Sequence, residues 1–194
     1  MPKALNIIRD EHRSIAAVLH GIQHLVGQIR ERKAKIDPRI FRAMLYYLDT
    51  FTERMHHSKE DRFLFSAMRR RGAEAEALIA ELEKEHAGGE QSLRRVEQCL
   101  LRYEEGGDAE FAAFAREVDS FAKGYWDHMR KEEEQVFPLA EKLLTPEDWT
   151  AINLAFGENA DPLASEADGN FRKLFTRIVN LAPPPIGVGP AAKD

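Results

Sequence analysis

Four histidines, His12, His56, His86 and His128, fall in the apolar stripes of four long segments, and Glu60 and Glu132 follow two of them at four residues' distance. An α-helix turns about 100° per residue, so positions i and i+4 stand one above the other on one face, about 6 Å apart along the axis. Each His/Glu pair can therefore aim at a single point. Four imidazoles sent inward from four helices, two of them with a carboxylate alongside, suit a pair of transition-metal ions.

The donor set narrows the metal. Histidine and carboxylate without thiolate favour iron, with manganese and zinc as the other compatible ions. If His12 and His56 serve one metal, His86 and His128 the other, and Glu60 and Glu132 bridge, each metal has four protein ligands. Octahedral iron then keeps positions for a bridging oxygen species and an exogenous ligand. A sphere left open in this way serves binding or redox chemistry, whereas structural sites fill theirs. Glu90, one turn past His86, is a further candidate ligand, against the plainer reading of an acid facing solvent or a neighbouring helix.

The elements that carry these residues repeat. His56 and His128, Glu60 and Glu132, and Phe65 and Phe137 are each 72 residues apart, and His12 and His86 are 74 apart. A period of that length spans two helices and their turns, which predicts a duplicated helical hairpin closing into an all-α, antiparallel up-down four-helix bundle. Helix A carries Leu5, Ile8, His12, Ile15, Leu19, Ile22, Val26 and Ile29 in alternating steps of 3 and 4, the seam of a bundle helix. Asp37-Pro38 opens helix B as cap and first-turn proline. Its stripe is less clean, through Phe41, Leu45, Leu48, Thr52, His56, Glu60 and Phe63, and Gly72 ends it. Helix C runs through Ala75, Ile79, Leu82, His86, Gly89, Leu93, Val96 and Leu100 to Gly106-Gly107. Helix D follows from Asp108 with Phe111, Phe114, Val118, Phe121, Tyr125, His128, Glu132, Val136, Leu139 and Leu143.

The bundle is thus assigned to residues 1–144, a helical extension packed on it to 145–182, and an extended or disordered tail to 183–194. Thr145-Pro146-Glu147-Asp148 has the grammar of a helix start. That short helix should end near Gly157, with a second through Phe171, Leu174, Phe175 and Ile178 after Asp161-Pro162. The proline- and glycine-rich stretch Pro183 to Pro190 is incompatible with a helix.

Composition bounds the function. A chain of 194 residues is long enough to bury a core without staples. Its single cysteine, Cys99, excludes an internal disulfide and suits a reducing compartment. Neither a signal-peptide core nor an apolar run approaching about 18 residues is visible, so a cytoplasmic protein without a membrane segment is expected. The net charge of −5 speaks against nucleic acid as a partner. The basic triplet Arg69-Arg70-Arg71 falls where helix B ends, where cations complement the helix dipole.

Two ambiguities bear on the site. His57 also has an acid four residues on, Asp61, so the helix B motif has an alternative phase rotated by about 100°. His56 and Glu60 are favoured because they alone align with His128 and Glu132. Tyr125, one turn before His128, is either a hydrogen-bond donor to a metal-bound species or a core aromatic satisfied elsewhere. Gly89, beside His86, leaves room for a small ligand, a kink or close helix packing. His20 and His24 form another i, i+4 pair off the stripe of helix A, without a third partner.

At this point the chain resembles the hemerythrin-like family, the HHE cation-binding proteins. His56-x-x-x-Glu60 with Phe65, and His128-x-x-x-Glu132-Glu133 ending in Phe137-Pro138, resemble its two paired motifs; His12 after Glu11 and His86 after Glu85 match its single histidines. The resemblance implies a non-haem di-iron centre, two Fe2+/Fe3+ ions with a bridging oxo, hydroxo or water ligand, reacting with O2, NO or peroxide. A role in redox or oxidative stress response, sensing or iron handling follows from that, with a protein partner or homo-oligomer as possible assembly.

The departures from the family pattern also carry weight. Oxygen-carrying hemerythrins place a second histidine four residues after that of helix C, where this chain has Glu90, and an aspartate five residues after that of helix D, where it has Glu133. The expectation is therefore four-histidine ligation without reversible oxygen carriage. The iron-sulphur cluster repair branch fits that set better, although its proteins often carry a cysteine-bearing N-terminal domain and this chain starts almost directly at helix A. A ferritin-like di-iron oxidase is the other alternative, because Glu53-x-x-His56 and Glu83-x-x-His86 fit its grammar, but it leaves His12 and His128 unexplained. Catalysis and sensing require the same ligands; a sensor additionally needs an output, and no second domain is expected to supply it.

Overall fold

The computed structural model describes residues 2–32, 35–157 and 186, and every regular element among them is helical. The stripe of helix A becomes α1, Lys3–Arg30, which buries Leu5, Ile8, His12, Ile15, Leu19, Ile22 and Val26 along one side. The free N–H of Ala4 at its start is taken by Asn153 Oδ1 at 2.7 Å. Arg32 follows the helix with φ +53°, the left-handed turn that commonly ends one.

Helix B is one uninterrupted helical run of changing winding. Asp37 caps α2, Pro38–Tyr47, by accepting from the Arg39 N–H at 2.9 Å. The chain then enters a π-helical stretch, Leu48–His56, a single α turn α3, His57–Lys59, a second π stretch, Glu60–Phe65, and α4, Ser66–Arg71. A π turn bonds i to i+5 and so takes up one residue more than an α turn. Everything downstream is rotated by that residue, which explains the imperfect stripe. Leu64 and Phe65 are fully buried in place of the expected Phe63.

A 3-10 turn, Ala73–Ala75, leads into α5, Glu76–Gly106, which is helix C. Gly107 then turns the chain with φ +66°, a conformation that glycine adopts without the Cβ penalty. Helix D is α6, Asp108–Lys131, a π stretch, Glu132–Val136, and α7, Phe137–Leu143. Here too the burial moves on by one: Ala140 and Leu144 are buried while Leu139 and Leu143 are only partly so.

The buried apolar residues fall into two clusters. One gathers Ile15, Leu19, Ile22, Phe41, Phe51, Val96 and Phe114 with their neighbours. The other gathers Leu5, Ile8, Leu64, Phe65, Ile79, Leu82 and Phe137. On three of the helical runs the switch from one cluster to the other brackets a key histidine, Ile8 and Ile15 flanking His12, Phe51 and Leu64 flanking His56, and Leu82 and Leu93 flanking His86, and on helix D it falls between Met129 and Val136, around Glu132. The polar layer is thus sealed above and below by hydrocarbon.

The chain after Leu144 adds α8, Pro146–Gly157. Thr145 and Asp148 bond reciprocally, Asp148 Oδ2 accepting from the Thr145 N–H at 3.0 Å, so the expected helix start is capped. Ile152 and Phe156 of α8 enter the second apolar cluster, and Lys59 Nζ donates to the Ala155 carbonyl at 2.8 Å. The basic triplet does more than answer a dipole: Arg69 bonds Glu76 and Glu83, and Arg71 bonds Asp148, tying α4 to α5 and α8. Ile186 packs against the first cluster. The expected helix through Phe171, Leu174, Phe175 and Ile178 and the rest of the Pro183–Pro190 stretch lie outside the described residues. No described helix is long and apolar enough to cross a membrane.

Candidate metal centre

The described residues place two groups of ligand atoms side by side, His12, His56, Glu60 and Glu132 in one, and His57, Glu60, His86 and His128 in the other. All seven residues are buried. Within each group the ligand atoms lie no more than 4.8 Å from one another. Donors bound at about 2.0–2.2 Å to one ion span little less than that. Glu60 belongs to both groups, and Glu132 reaches both. Its Oε2 lies 3.1 Å from His12 Nε2, and its Oε1 lies 3.3 Å from His128 Nε2 and 3.8 Å from His86 Nε2.

Each imidazole is held from behind by a carboxylate. The Nδ1 of His12 faces Glu133 at 2.9 Å, that of His56 faces Glu11 at 2.7 Å, that of His86 faces Asp61 at 2.7 Å and that of His128 faces Glu85 at 2.9 Å. His57 Nδ1 faces Glu53 at 3.3 Å. A carboxylate on Nδ1 fixes the proton there and leaves Nε2 with a lone pair, the arrangement that orients metal-binding histidines. Flat aromatic faces add to the clamp: Phe65 stacks on His86 and Phe137 on His12, at interplanar angles of 11° and 12°.

The centre of the layer is short of partners. Both oxygens of Glu60, both of Glu132 and His12 Nε2 are buried without a hydrogen bond. Burying an unsatisfied polar group costs roughly 2–7 kcal/mol, and an isolated charge more. Two such carboxylates in a layer sealed by hydrocarbon are explained by cations lying between them. The residues present therefore fit a pair of metal ions.

The charges of the metal-free site point the same way. Burial, reinforced by Glu132, raises the Glu60 carboxyl well above the usual range. Glu132 is held well below it, because His128, His12 and His86 outweigh its burial. Burial works against the charged form of His128, yet Glu132 and Glu85 push its pKa up to about 10. His12 and His86 are raised in the same manner, against burial, by Glu132 with Glu133 and by Asp61 with Glu132 respectively. His56 is lowered by burial, with Glu11 opposing, and His57 falls well below its ordinary value through burial and the neighbouring imidazoles. Protons thus hold the places where cations would bind.

The other expected residues distribute as follows. His57 joins the cluster together with His56, whereas the helix B phasing chose between them: the π stretches on either side turn consecutive residues toward the same layer. The imidazoles gathered are therefore five, not four. Glu90 lies outside the cluster, because α5 stays regular there and turns the side chain outward; it is 54% exposed and paired with Arg94. Tyr125 donates its hydroxyl to Glu53. Gly89 makes room for that same Glu53, whose Oε2 would lie 2.5 Å from a Cβ there. Glu83 bonds Arg69 and is in neither ligand group, so the Glu-x-x-His grammar of a ferritin-like site is not realised at that helix. His20 rests on Trp126, 4.5 Å between ring centres. Glu11, Asp61, Glu85 and Glu133 were named from the sequence, but their place behind the rings was not foreseen there. Asp61 and Glu133 share the 72-residue spacing, and Glu11 and Glu85 the 74-residue spacing, which is the signal that marks them.

A cavity of about 450 Å³ opens between helix B and α5 and is lined by Glu53, His57, Asp61, Glu83 and His86 among others. It opens toward the side of the cluster that carries His57 and His86.

The hemerythrin HHE cation-binding domain family model matches residues 3–140. The chain belongs to that family, and its helical run from α1 to α7 and the buried His/Glu layer are the parts that the match covers. No curated protein and no solved structure matches the chain.

Proposed function

We propose that this chain holds two iron ions in the His/Glu layer and uses them to react with O2, NO or peroxide, in redox stress response, sensing or iron handling. The observation that carries the reading is the set of five carboxylate-backed imidazoles facing two buried carboxylates that have no hydrogen-bond partner. His12 and His56 would hold one ion, His57, His86 and His128 the other, with Glu60 and Glu132 shared. Around this layer we infer the antiparallel up-down four-helix bundle that the duplicated hairpin predicts.

Iron so held supplies redox change and an open position for a small ligand. The protein's own part is orientation and exclusion. Glu11, Asp61, Glu85 and Glu133 fix the ring tautomers, Phe65 and Phe137 hold the planes of His86 and His12, and the apolar clusters keep bulk water from two sides. Iron-sulphur cluster repair would use the same ligands and is the nearest alternative role.

Metal analysis of protein from iron-replete cells, with ultraviolet-visible spectra before and after reduction, tests the reading. About two irons per chain and near-ultraviolet absorption that changes on reduction are expected. Stoichiometric zinc after iron-rich expression would overturn it.

A further inference from the structure

The two halves of the site correspond at the 72-residue spacing for His56 and His128, Glu60 and Glu132, Asp61 and Glu133, and Phe65 and Phe137. The correspondence breaks at two neighbouring positions. His57 stands opposite Met129, and Glu53 opposite Tyr125. These odd residues are in contact with one another: Tyr125 donates to Glu53 Oε1, Glu53 Oε2 faces His57 Nδ1 at 3.3 Å, and the His57 and Tyr125 rings stack with centres 5.9 Å apart.

The space for this group is made by a third residue. A Cβ built on Gly89 would fall 2.5 Å from Glu53 Oε2, 2.7 Å from Oε1 and 2.9 Å from Cδ. Glycine inside a helix costs about 1 kcal/mol relative to alanine, and no positive φ requires it at this position. The notch is therefore explained by the carboxylate it admits, whose side chain is only 6% exposed.

We propose that Glu53, seated in the Gly89 notch and held by Tyr125, is a positioning residue that aims His57 at the metal position it shares with His86 and His128. The inference rests on the di-metal reading above. Of the five imidazoles, His57 has the longest Nδ1–carboxylate contact, 3.3 Å against 2.7–2.9 Å for the others. Its ring nevertheless lies face to face with His86, 4.1 Å between centres at 11°. Glu53 reaches it from one turn earlier on the same helical run.

The test uses the full chain with Glu53→Ala, Glu53→Gln, Tyr125→Phe and Gly89→Ala. Ferrous iron is titrated anaerobically against a chelator, Mössbauer spectra are recorded, and the histidine ring nitrogens of the metal-free protein are followed by long-range proton–nitrogen NMR. Removing a carboxylate behind a metal-binding histidine weakens metal affinity about 10–100-fold. Glu53→Ala should weaken one iron by that factor and leave the other near its wild-type affinity. Its His57 ring should lose the Nδ1-protonated signature while His12, His56, His86 and His128 keep theirs.

Glu53→Gln, whose amide oxygen still accepts, should recover most of the affinity. Gly89→Ala and Tyr125→Phe, which disturb the seat and keep the carboxylate, should fall between. Loss of both irons together, loss of neither, or an unchanged His57 ring signature in Glu53→Ala would overturn the proposal. Wild-type protein that binds fewer than two irons would instead refute the di-metal reading, and the metal-free ring spectra would still decide the positioning role. Should Glu53→Ala fail to fold, Gly89→Ala with Tyr125→Phe carries the same comparison.

Discussion

Asp61 and Glu133, 72 positions apart in the chain, each close on the Nδ1 of a histidine from another helix, Asp61 on His86 at 2.7 Å and Glu133 on His12 at 2.9 Å. Neither is in the ligand groups, and each lies one residue past a glutamate that is. In both halves the sequence Glu-acid therefore divides its labour, the first carboxylate facing the centre and the second facing a ring from behind. The 72-residue correspondence thus extends to the carboxylates behind the rings as well as to those facing the centre.

That symmetry gives the first prediction. Asp61→Ala and Glu133→Ala should each weaken metal binding about 10–100-fold, the range for lost outer carboxylates, and each should affect a different ion. Chelator competition read by metal content measures both. Equal weakening of both ions in either variant would show that the two carboxylates do not act on separate positions.

Substitution of the shared carboxylates should be more severe. Glu60→Ala or Glu132→Ala removes a group that reaches both ligand clusters and, on the proposed reading, should strip both ions. Glu90→Ala should leave the metal content at its wild-type level and change stability by no more than about 0.5 kcal/mol, as for other exposed positions. If Glu90→Ala empties the protein while Glu60→Ala retains its metal, the helix phases described above are incorrect.

Much of this was legible in the residues themselves. The stripes of helices A and C predicted the buried faces of α1 and α5 nearly residue by residue, because regular α-helix keeps its 3.6 period and the apolar residues record it. Helix B was harder. Its choice between His56 and His57 assumed one continuous α phase, whereas two π stretches make both face inward. An i to i+5 turn leaves no motif of its own. Its trace is a stripe that slips by one, as when Phe63 gives way to Leu64 and Phe65. The outer carboxylates were obscured for another reason: acids on a helix surface are common, and only their distance across the bundle to a ring shows what they do.

The proton load of the metal-free site leads to a prediction in pH. His128 has its pKa raised from 6.5 to about 10, with His12 and His86 raised as well. A group whose folded pKa is raised binds its proton more tightly in the native state, so its contribution is complete below pH 6.5 and is lost as pH climbs toward about 10. Glu53, raised from 4.5 to about 7, acts in the same direction at the lower end. The lowered His56 and His57 have the opposite sign, but their effect is complete by pH 6.5. Metal competes for the same imidazoles, so its affinity should rise across that window. Melting curves of metal-free protein should therefore shift to lower temperature from pH 6.5 upward, while metal binding tightens. A metal-free Tm that rises over this range would contradict the assignment.

The last prediction concerns oxygen. Sequence alone argued against reversible carriage from a count of four histidines, and that ground is gone, since five imidazoles gather in the layer. The structure supplies another argument for the same outcome. Reversible binding demands a dry site, because water and protons carry reactive intermediates onward to oxidation. Here a cavity of about 450 Å³, lined mainly by charged and hydrogen-bonding residues, reaches His57 and His86, and the buried Tyr125 hydroxyl and Glu53 carboxyl place hydrogen-bonding groups beside them. The reduced, iron-loaded protein should convert promptly to the diferric spectrum when mixed with air-saturated buffer in a stopped flow. Oxygen taken up by the wild type and released under vacuum would refute the argument and return oxygen carriage to consideration for this chain.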